Sequence, residues 1–466
     1  MRYIYISLFL SVFALNANAQ IITTVAGDTI GVSSGNGSYS GDGGQATAAG
    51  LNAPMGIAID GVGNLYIADT FNDVIRKVNT NGIITTIAGG GSCGIDPCGD
   101  GGQATAAKLN NPDGIVIDIL GNLYFADNTN NLIRKINTLG IITTIAGNGY
   151  NAGSSSGGFS GDGGQATNAA LYLPDKVAID NVGNLYFSDY ANNRVRKVNS
   201  LGIINTVAGN GSQGFSGDGG QATNAELYYP SGIAFDEIGN LCISDSKNNR
   251  VRKINSAGII ITIVGNGIAG YSGDGGSAIS AELYETRGIA FDAIGNLYIA
   301  DIQNNVIRMV DSTGIITTVA GDGFNAGTGN GGYSGDGGQA TLAELYAPMG
   351  VTVDGTGNLY IADYWNNCVR MVTHIGHTTG IEAFTNTNEQ VTVYPNPASN
   401  NIQVSFSGNS TNAEITVTDM LGNTIKQFPF NTEHVTLSIG DIGEGVYNIS
   451  ITGKEGVANK RVVIVR

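Results

Sequence analysis

The chain has 466 residues and a formal net charge of −16, with only 13% charged residues and 71 glycines. That acidic balance, with Arg and Lys spaced regularly along the chain rather than gathered in one stripe, argues against nucleic acid as a partner. Four cysteines are too few for a disulfide framework, and beyond the N-terminus no run of about 18 apolar residues offers a membrane span.

Residues 1–19 read as a secretory signal: a basic Arg2, an apolar run from Tyr3 to Leu15, and the small-residue site Ala17-Asn18-Ala19 before Gln20. From Ile21 a single unit governs the chain. The tetrapeptide GDGG recurs with its Asp at Asp42, Asp100, Asp162, Asp218, Asp274 and Asp336, and a run like NLYIAD ends at Asp69, Asp127, Asp189, Asp245, Asp301 and Asp363. The offset between the two is the same in all six copies, which marks a repeat architecture.

Within a unit, GIAID, NLYIAD, VIRKV and GIITTIAG are short Ile/Val/Tyr-rich runs separated by turn residues, predicting four antiparallel strands, a to d. One such sheet cannot bury its own faces, whereas six set radially can, so the fold class is all-β with a six-bladed β-propeller. Ile21 to Gly27 is already a d strand and no d strand follows the sixth c strand. The N-terminal strand is therefore predicted to complete blade six and remove an open edge.

The patterns P-x-G-[IV]-A-[IF]-D, G-N-L-Y-[IF]-[AS]-D, N-N-x-[IV]-R and SGDGGxAT resemble the NHL repeat in a glycine-rich form similar to the teneurin propeller, over residues 21–373. The resemblance implies the fold. It leaves function open, because NHL propellers include RNA binders, adhesion modules, sensors and a lyase.

The d-to-a and b-to-c connections share one end of each blade and are the longer ones, so that end is expected to be the functional face. The slack between copies falls just before SGDGG, and the loops at 28–39, 148–159 and 322–333 are the long ones. SGDGG has two readings. Its Asp residues, Asp42, Asp100, Asp162, Asp218, Asp274 and Asp336, are candidate calcium ligands; alternatively Gly supplies positive φ and Asp caps its own turn, and recurrence in all six copies favours the structural reading. The b-strand Asp residues, each followed by an Asn pair or Asn-Asp and then by an Arg, read as ion-paired turn caps. In the loop CGIDPC, Cys93 and Cys98 are candidates for a local disulfide, while Cys242 and Cys368 lie within strands and are expected to be buried and unpaired.

A site belonging to one function should break the sixfold pattern. Directly before strand a the copies differ: Met55, Asp113, Asp175, Ser231, Arg287 and Met349. After strand b, blade one has Phe71 and blade six has Tyr364-Trp365, and ring closure makes these blades neighbours. The candidate ligand-binding residues are therefore Met55, Phe71, Met349, Tyr364, Trp365 and Arg287, with exposed aromatics suited to a sugar face or a peptide side chain. Packing of these aromatics between blades is the competing reading. All three histidines, His374, His377 and His434, follow the propeller, which leaves it without a histidine base or the His ligands of a zinc lyase. No cofactor is expected, calcium apart.

Residues 374–390 form a polar linker. Residues 391–466 return to alternating strands and predict a small β-sandwich. Its motifs YPNPAS, DMLGN, GVYNISI and KRVVIVR resemble the C-terminal sorting domain of the type IX secretion system of Bacteroidota. That resemblance implies export to the outer surface or the medium and a partnership with the secretion machinery. Together these readings predict a secreted or surface binding module for an extracellular protein, peptide or glycan; the alternatives are a calcium-dependent propeller enzyme of lactonase or lyase type and a purely structural surface protein.

Overall fold

The structure is a computed structural model that describes residues 20–28, 37–91, 99–154 and 156–373, and in the tail 391–394, 401–406, 413–418, 424–430, 434–443, 445–453 and 456–464. The expected signal segment, the linker and the Cys93/Cys98 pair lie outside the described residues. The chain divides into two compact units between residues 374 and 375.

The first unit is a propeller of six four-stranded sheets. Blade one shows the pattern: strand a Pro54–Ile59, b Leu65–Asp69, c Val74–Val78 and d Ile84–Gly89, paired in that order. The strand Ile22–Ala26 pairs with strand c of blade six, Ile22 opposite Val372 and Thr24 opposite Arg370, so the ring closes through the N-terminal strand as its sequence requires. Each turn between strands a and b is fixed by an Asp; in blade one Asp60 Oδ1 accepts from the Val62 and Asn64 amides.

The cores lie between blades. Ala68, Ile75 and Ala88 of blade one pack with Leu123, Phe125 and Ile142 of blade two, and at the closure Ala26, Ala362 and Val369 pack against Leu51, Ile57 and Ile67. Small residues on one sheet receive large ones from the next, which lets twisted sheets meet without voids. The Asn pair that follows strand b serves two tasks. Its second member adopts a left-handed conformation, as at Asn131, Asn193, Asn249, Asn305 and Asn367, with Asp73 taking the place in blade one. The side-chain oxygen of each then accepts a backbone N–H from the next blade at 2.7–3.0 Å, and Asn367 to Ala53 completes the circle.

The second unit contains a three-stranded sheet (Val391–Tyr394, Asn401–Phe406, His434–Ser438) and a four-stranded one (Thr424–Phe430, Ala413–Thr418, Gly445–Gly453, Gly456–Ile464). Ile402, Val404, Ile415, Val417, Leu437, Ile449 and Ile464 form their common core, the expected small sandwich. Among the described residues no helix is long and apolar enough to cross a membrane.

Candidate functional site at the mouth of the axial channel

The repeated acids are committed to the blades. In each blade the strand c arginine, Arg76, Arg134, Arg196, Arg252, Arg308 or Arg370, is buried and forks between two carboxylates. One is the SGDGG Asp at 2.6–2.8 Å, the other the b-strand Asp at 3.0–3.5 Å. The second oxygen of five SGDGG carboxylates accepts from a strand d threonine, including Thr24 on the closing strand. The Asp therefore ties its loop to strands c and d rather than capping its own turn, while Gly41 and Gly43 do supply positive φ.

SGDGG also lies elsewhere than the chain order suggested. Gly43 N donates to Ile84 O and Ala46 N to Gly82 O, so the segment runs down the outer edge of strand d instead of crowning the loop-rich face. The physical reason is that strand d ends each sheet and its unpaired backbone groups need partners. The b-strand acids are fully buried. Burial pushes Asp69, Asp127, Asp189, Asp245 and Asp363 up to about 6 against the pull of their Asn, backbone and Arg donors.

The sixfold pattern breaks around the axis. At the third residue of strand a, five blades place glycine, Gly56, Gly114, Gly232, Gly288 and Gly350, along a narrow axial channel. They pack so closely on the next blade that a Cβ at Gly232 would stand 2.0 Å from the Arg287 carbonyl oxygen, and one at Gly350 2.2 Å from that of Met55. Blade three has Lys176 at this position. Its ammonium pairs with Asp113 of blade two and stands 3.5 Å from Asp175 Oδ1.

Asp175 also accepts from Ser231 Oγ at 2.6 Å and from Arg287 at 3.2 Å, and Arg287 donates to the Tyr190 hydroxyl at 3.1 Å. Tyr190 stacks on Tyr229 with ring centres 4.7 Å apart. Blades two to five thus contribute two buried carboxylates and two cations to one network. Burial pushes Asp113 up to about 7, with Lys176 opposing and the neighbouring Asp175 charge adding to the rise. Asp175 would also be raised by burial, but the charges of Lys176 and Arg287 hold it well below the usual carboxylate range.

The opposite side of the mouth is apolar. Met55 and Met349 of blades one and six adjoin Ile302, Tyr364 and Trp365; the Phe71 ring meets Tyr364 at 5.9 Å and Trp365 at 6.3 Å. Ring closure therefore gathers the aromatics, but their exposure differs from expectation. Tyr364 is buried because the neighbouring blades present apolar side chains to it, and it packs with Ala53, Ala347 and Ile302. Trp365 is half-buried, and Phe71 is 43% exposed. Arg287, expected at an exposed variable position, keeps only 22% of its side chain accessible.

A cavity of about 190 Å³ opens over the polar network, with Asp113, Asp175, Tyr190 and Arg287 in its lining together with Met55, Leu173, Thr70, Asn111 and Asn128. Lys176 and Tyr190 were the members most readily missed in the sequence. The available signal was Lys176 in place of the glycine that the other five copies keep at this position. Among the described residues no cluster of His, Cys, Asp and Glu is arranged to hold a metal ion. Cys242 and Cys368 are buried and unpaired, as expected.

The sequence matches the teneurin NHL domain family over residues 10–96, 90–158, 155–216, 210–271 and 268–328, the NHL repeat over 345–370, and the secretion system C-terminal sorting domain over 392–465. It is 32% identical to teneurin-1 of Gallus gallus over 234 residues, covering 47% of this chain and 8% of that protein. It is 29% identical to the chloroplastic protein Suppressor of Quenching 1 of Arabidopsis thaliana, covering 56% of this chain and 25% of that one. The chain thus spans a quarter or less of the length of these two relatives. An auxiliary nutrient binding protein from Bacteroides thetaiotaomicron shares the fold over 76% of each chain, with a TM-score of 0.54 and 16% identity. A structural genomics protein of unknown function from the same organism does so with a TM-score of 0.52 and 20% identity, over 76% of this chain and 75% of that one. The chain belongs to the teneurin-type NHL-repeat family and ends in a secretion system C-terminal sorting domain, which directs it through type IX secretion to the cell surface or beyond.

Proposed function

We propose that the protein is an exported binding module that engages an extracellular ligand or partner at the mouth of the axial channel, on the loop-rich face of the propeller. The observation that carries this reading is the local failure of the sixfold pattern. Blades two, three and five place Asp113, Asp175 and Arg287 in the lining of a cavity, with Lys176 paired to Asp113, and blade one places Met55 there, which also packs with Met349 and Trp365, while the structural acids and arginines repeat unchanged. Ring symmetry alone has no use for such a departure. A propeller without histidine supports binding over lyase or triad chemistry. We also infer that residues 1–19 are the signal that takes the chain across the inner membrane before the tail takes it across the outer one.

The test is to probe the secreted chain on glycan and peptide arrays and to follow each captured ligand for turnover. Binding without turnover, reduced by Arg287→Ala or Trp365→Ala, is the expected result. Turnover would make the protein an enzyme, and silence on both arrays would leave a structural surface protein.

A further inference from the structure

We propose that the face of the propeller opposite the channel mouth is a self-association surface, on which two copies of this chain pair back to back through a crescent of exposed aliphatic side chains.

The crescent is built from turn tips. Strands a and b, and strands c and d, are joined at this end by short turns, and those of blades two and three carry Ile119, Leu120, Leu139, Val182 and Leu201, each 73–103% exposed. Val62, Ile238 and Ile294 continue the row along the a-to-b turns of blades one, four and five. Turn geometry does not require these residues. The a-to-b turns are held by an Asp, which accepts the amides of Val62, Leu120 and Val182, and by a glycine at positive φ, as at Gly63, Gly121 and Gly183. Equivalent tips are filled by Thr356 in blade six and, between strands c and d, by Asn81 and Thr313 in blades one and five. The turns also adjoin one another. A Cβ at Gly121 would stand 3.5 Å from Thr138 Cγ2 in the c-to-d turn of its own blade, and one at Gly295 3.8 Å from Glu237 in the a-to-b turn of blade four. With roughly 100 Å² of apolar surface on each side chain of this kind, about three-quarters exposed, the crescent amounts to on the order of 600 Å². That is about the upper end of what a lone protein exposes in one patch, and most of the roughly 800 Å² per partner that a stable interface buries.

Charge selects the occupant. A chain of net charge −16 repels a second copy over most of its surface, but the crescent lies where the turn acids are balanced. Lys197 stands 3.9 Å from Asp180 and Lys253 4.0 Å from Asp236, and Lys135 lies over the Tyr124 ring, whose hydroxyl donates to Asp118. Blades five and six have Met309 and Met371 where these lysines stand, and there the aliphatic tips thin out to Ile294. An anionic lipid surface calls for an excess of cations beside the apolar residues, whereas here lysine is matched by acid. A second copy brings the same apolar, charge-balanced crescent, which a twofold axis sets against this one. The chain leaves the propeller at blade six, where Val372 lies opposite Ile22, across the ring from blade three, so pairing leaves both exits at the rim. Both channel mouths then face outward, and the pair presents two binding sites at once.

The experiment is sedimentation velocity of the full secreted chain over a range of protein and salt concentrations. The expected result is a reversible monomer–dimer equilibrium in the micromolar range that tightens several-fold as salt screens the repulsion between two acidic chains. Leu120→Asp should weaken pairing at least tenfold. Leu139→Ser combined with Leu201→Ser adds no charge, places small polar residues where blades one and five have Asn81 and Thr313, and should weaken it several-fold. These side chains sit at exposed tips, so Trp365 fluorescence should show parental melting; if Leu120→Asp melts early, the serine variant decides. A monomer at every concentration overturns the inference, as does a dimer that loosens with salt or is unmoved by the substitutions. Adsorption to vesicles of phosphatidylethanolamine and phosphatidylglycerol, lost in Leu120→Asp and without dimer formation, would assign the face to a lipid surface and overturn the pairing.

Discussion

Replacing Arg196 by Met tests whether the repeated acids and arginines hold the blades rather than a metal. The guanidinium is fully buried between Asp189 at 3.1 Å and Asp162 at 2.8 Å, and it donates to Ser160 O at 3.0 Å. Met fills much of its volume but strands the buried Asp189 carboxylate. Breaking one partner of such a pair costs about 3–5 kcal/mol. Relief of the buried Arg196 Nε, which has no hydrogen-bond partner, works the other way and favours the lower end. For a unit of roughly 350 residues, an unfolding entropy of about 2.1 cal/mol/K per residue makes 3 kcal/mol worth roughly 4 °C. By contrast, the Asp162 side chain is 37% exposed, and Asp162→Asn should cost about 1 kcal/mol or less. The chain has one tryptophan, Trp365, in the propeller, so its fluorescence follows melting of that unit alone. Measured at pH 8, where Asp189 is ionised, Arg196→Met should melt roughly 4 °C lower and Asp162→Asn within about 1 °C of the parent, each unchanged by calcium or a chelator. A larger loss for Asp162→Asn than for Arg196→Met, or a calcium-dependent shift in the parent, would refute the reasoning.

Deleting Gln20 to Gly27 should open the c edge of blade six and remove Ile22 and Ala26 from the core, giving aggregation or a broadened melt; a sharp parental transition in scanning calorimetry would contradict the closure. Melting should also depend on pH with a defined sign. The b-strand acids, raised to about 6 from an ordinary 3.8, contribute stability that is full below 3.8 and lost as pH rises through 6. Asp60, Asp118, Asp180 and Asp354 in the a-to-b turns are lowered, burial being outweighed by their Asn and backbone donors, and their contribution is lost as pH falls below 3.8. The melting temperature should therefore peak between about pH 4 and 6 and decline toward pH 8, and a profile that climbs from 5 to 8 would reverse the assignment. Removing residues 391–466 should leave the propeller folded but retained in the periplasm, as measured by fractionation of the native host; parental yield in the medium would remove the tail's role in export.

The sequence alone determined blade number, strand order and the closing strand, because each follows from local periodicity repeated six times: alternation, turn residues and equal spacing leave one arrangement that buries every face; the export tail was legible separately, in motifs that occur once and resemble a sorting domain. It also identified the buried cysteines and the pairing of strand c arginines with repeated acids. Tertiary structure decided what repetition hides. SGDGG looks like a loop of the functional face until the free edge of strand d takes it as a partner, and Tyr364 looks like a loop-tip aromatic until the apolar side chains of neighbouring blades bury it. The cavity needed the ring itself. Asp113, Lys176, Tyr190 and Arg287 lie far apart along the chain, and their meeting depends on blade geometry about the axis, a long-range relation that no local pattern of residues encodes.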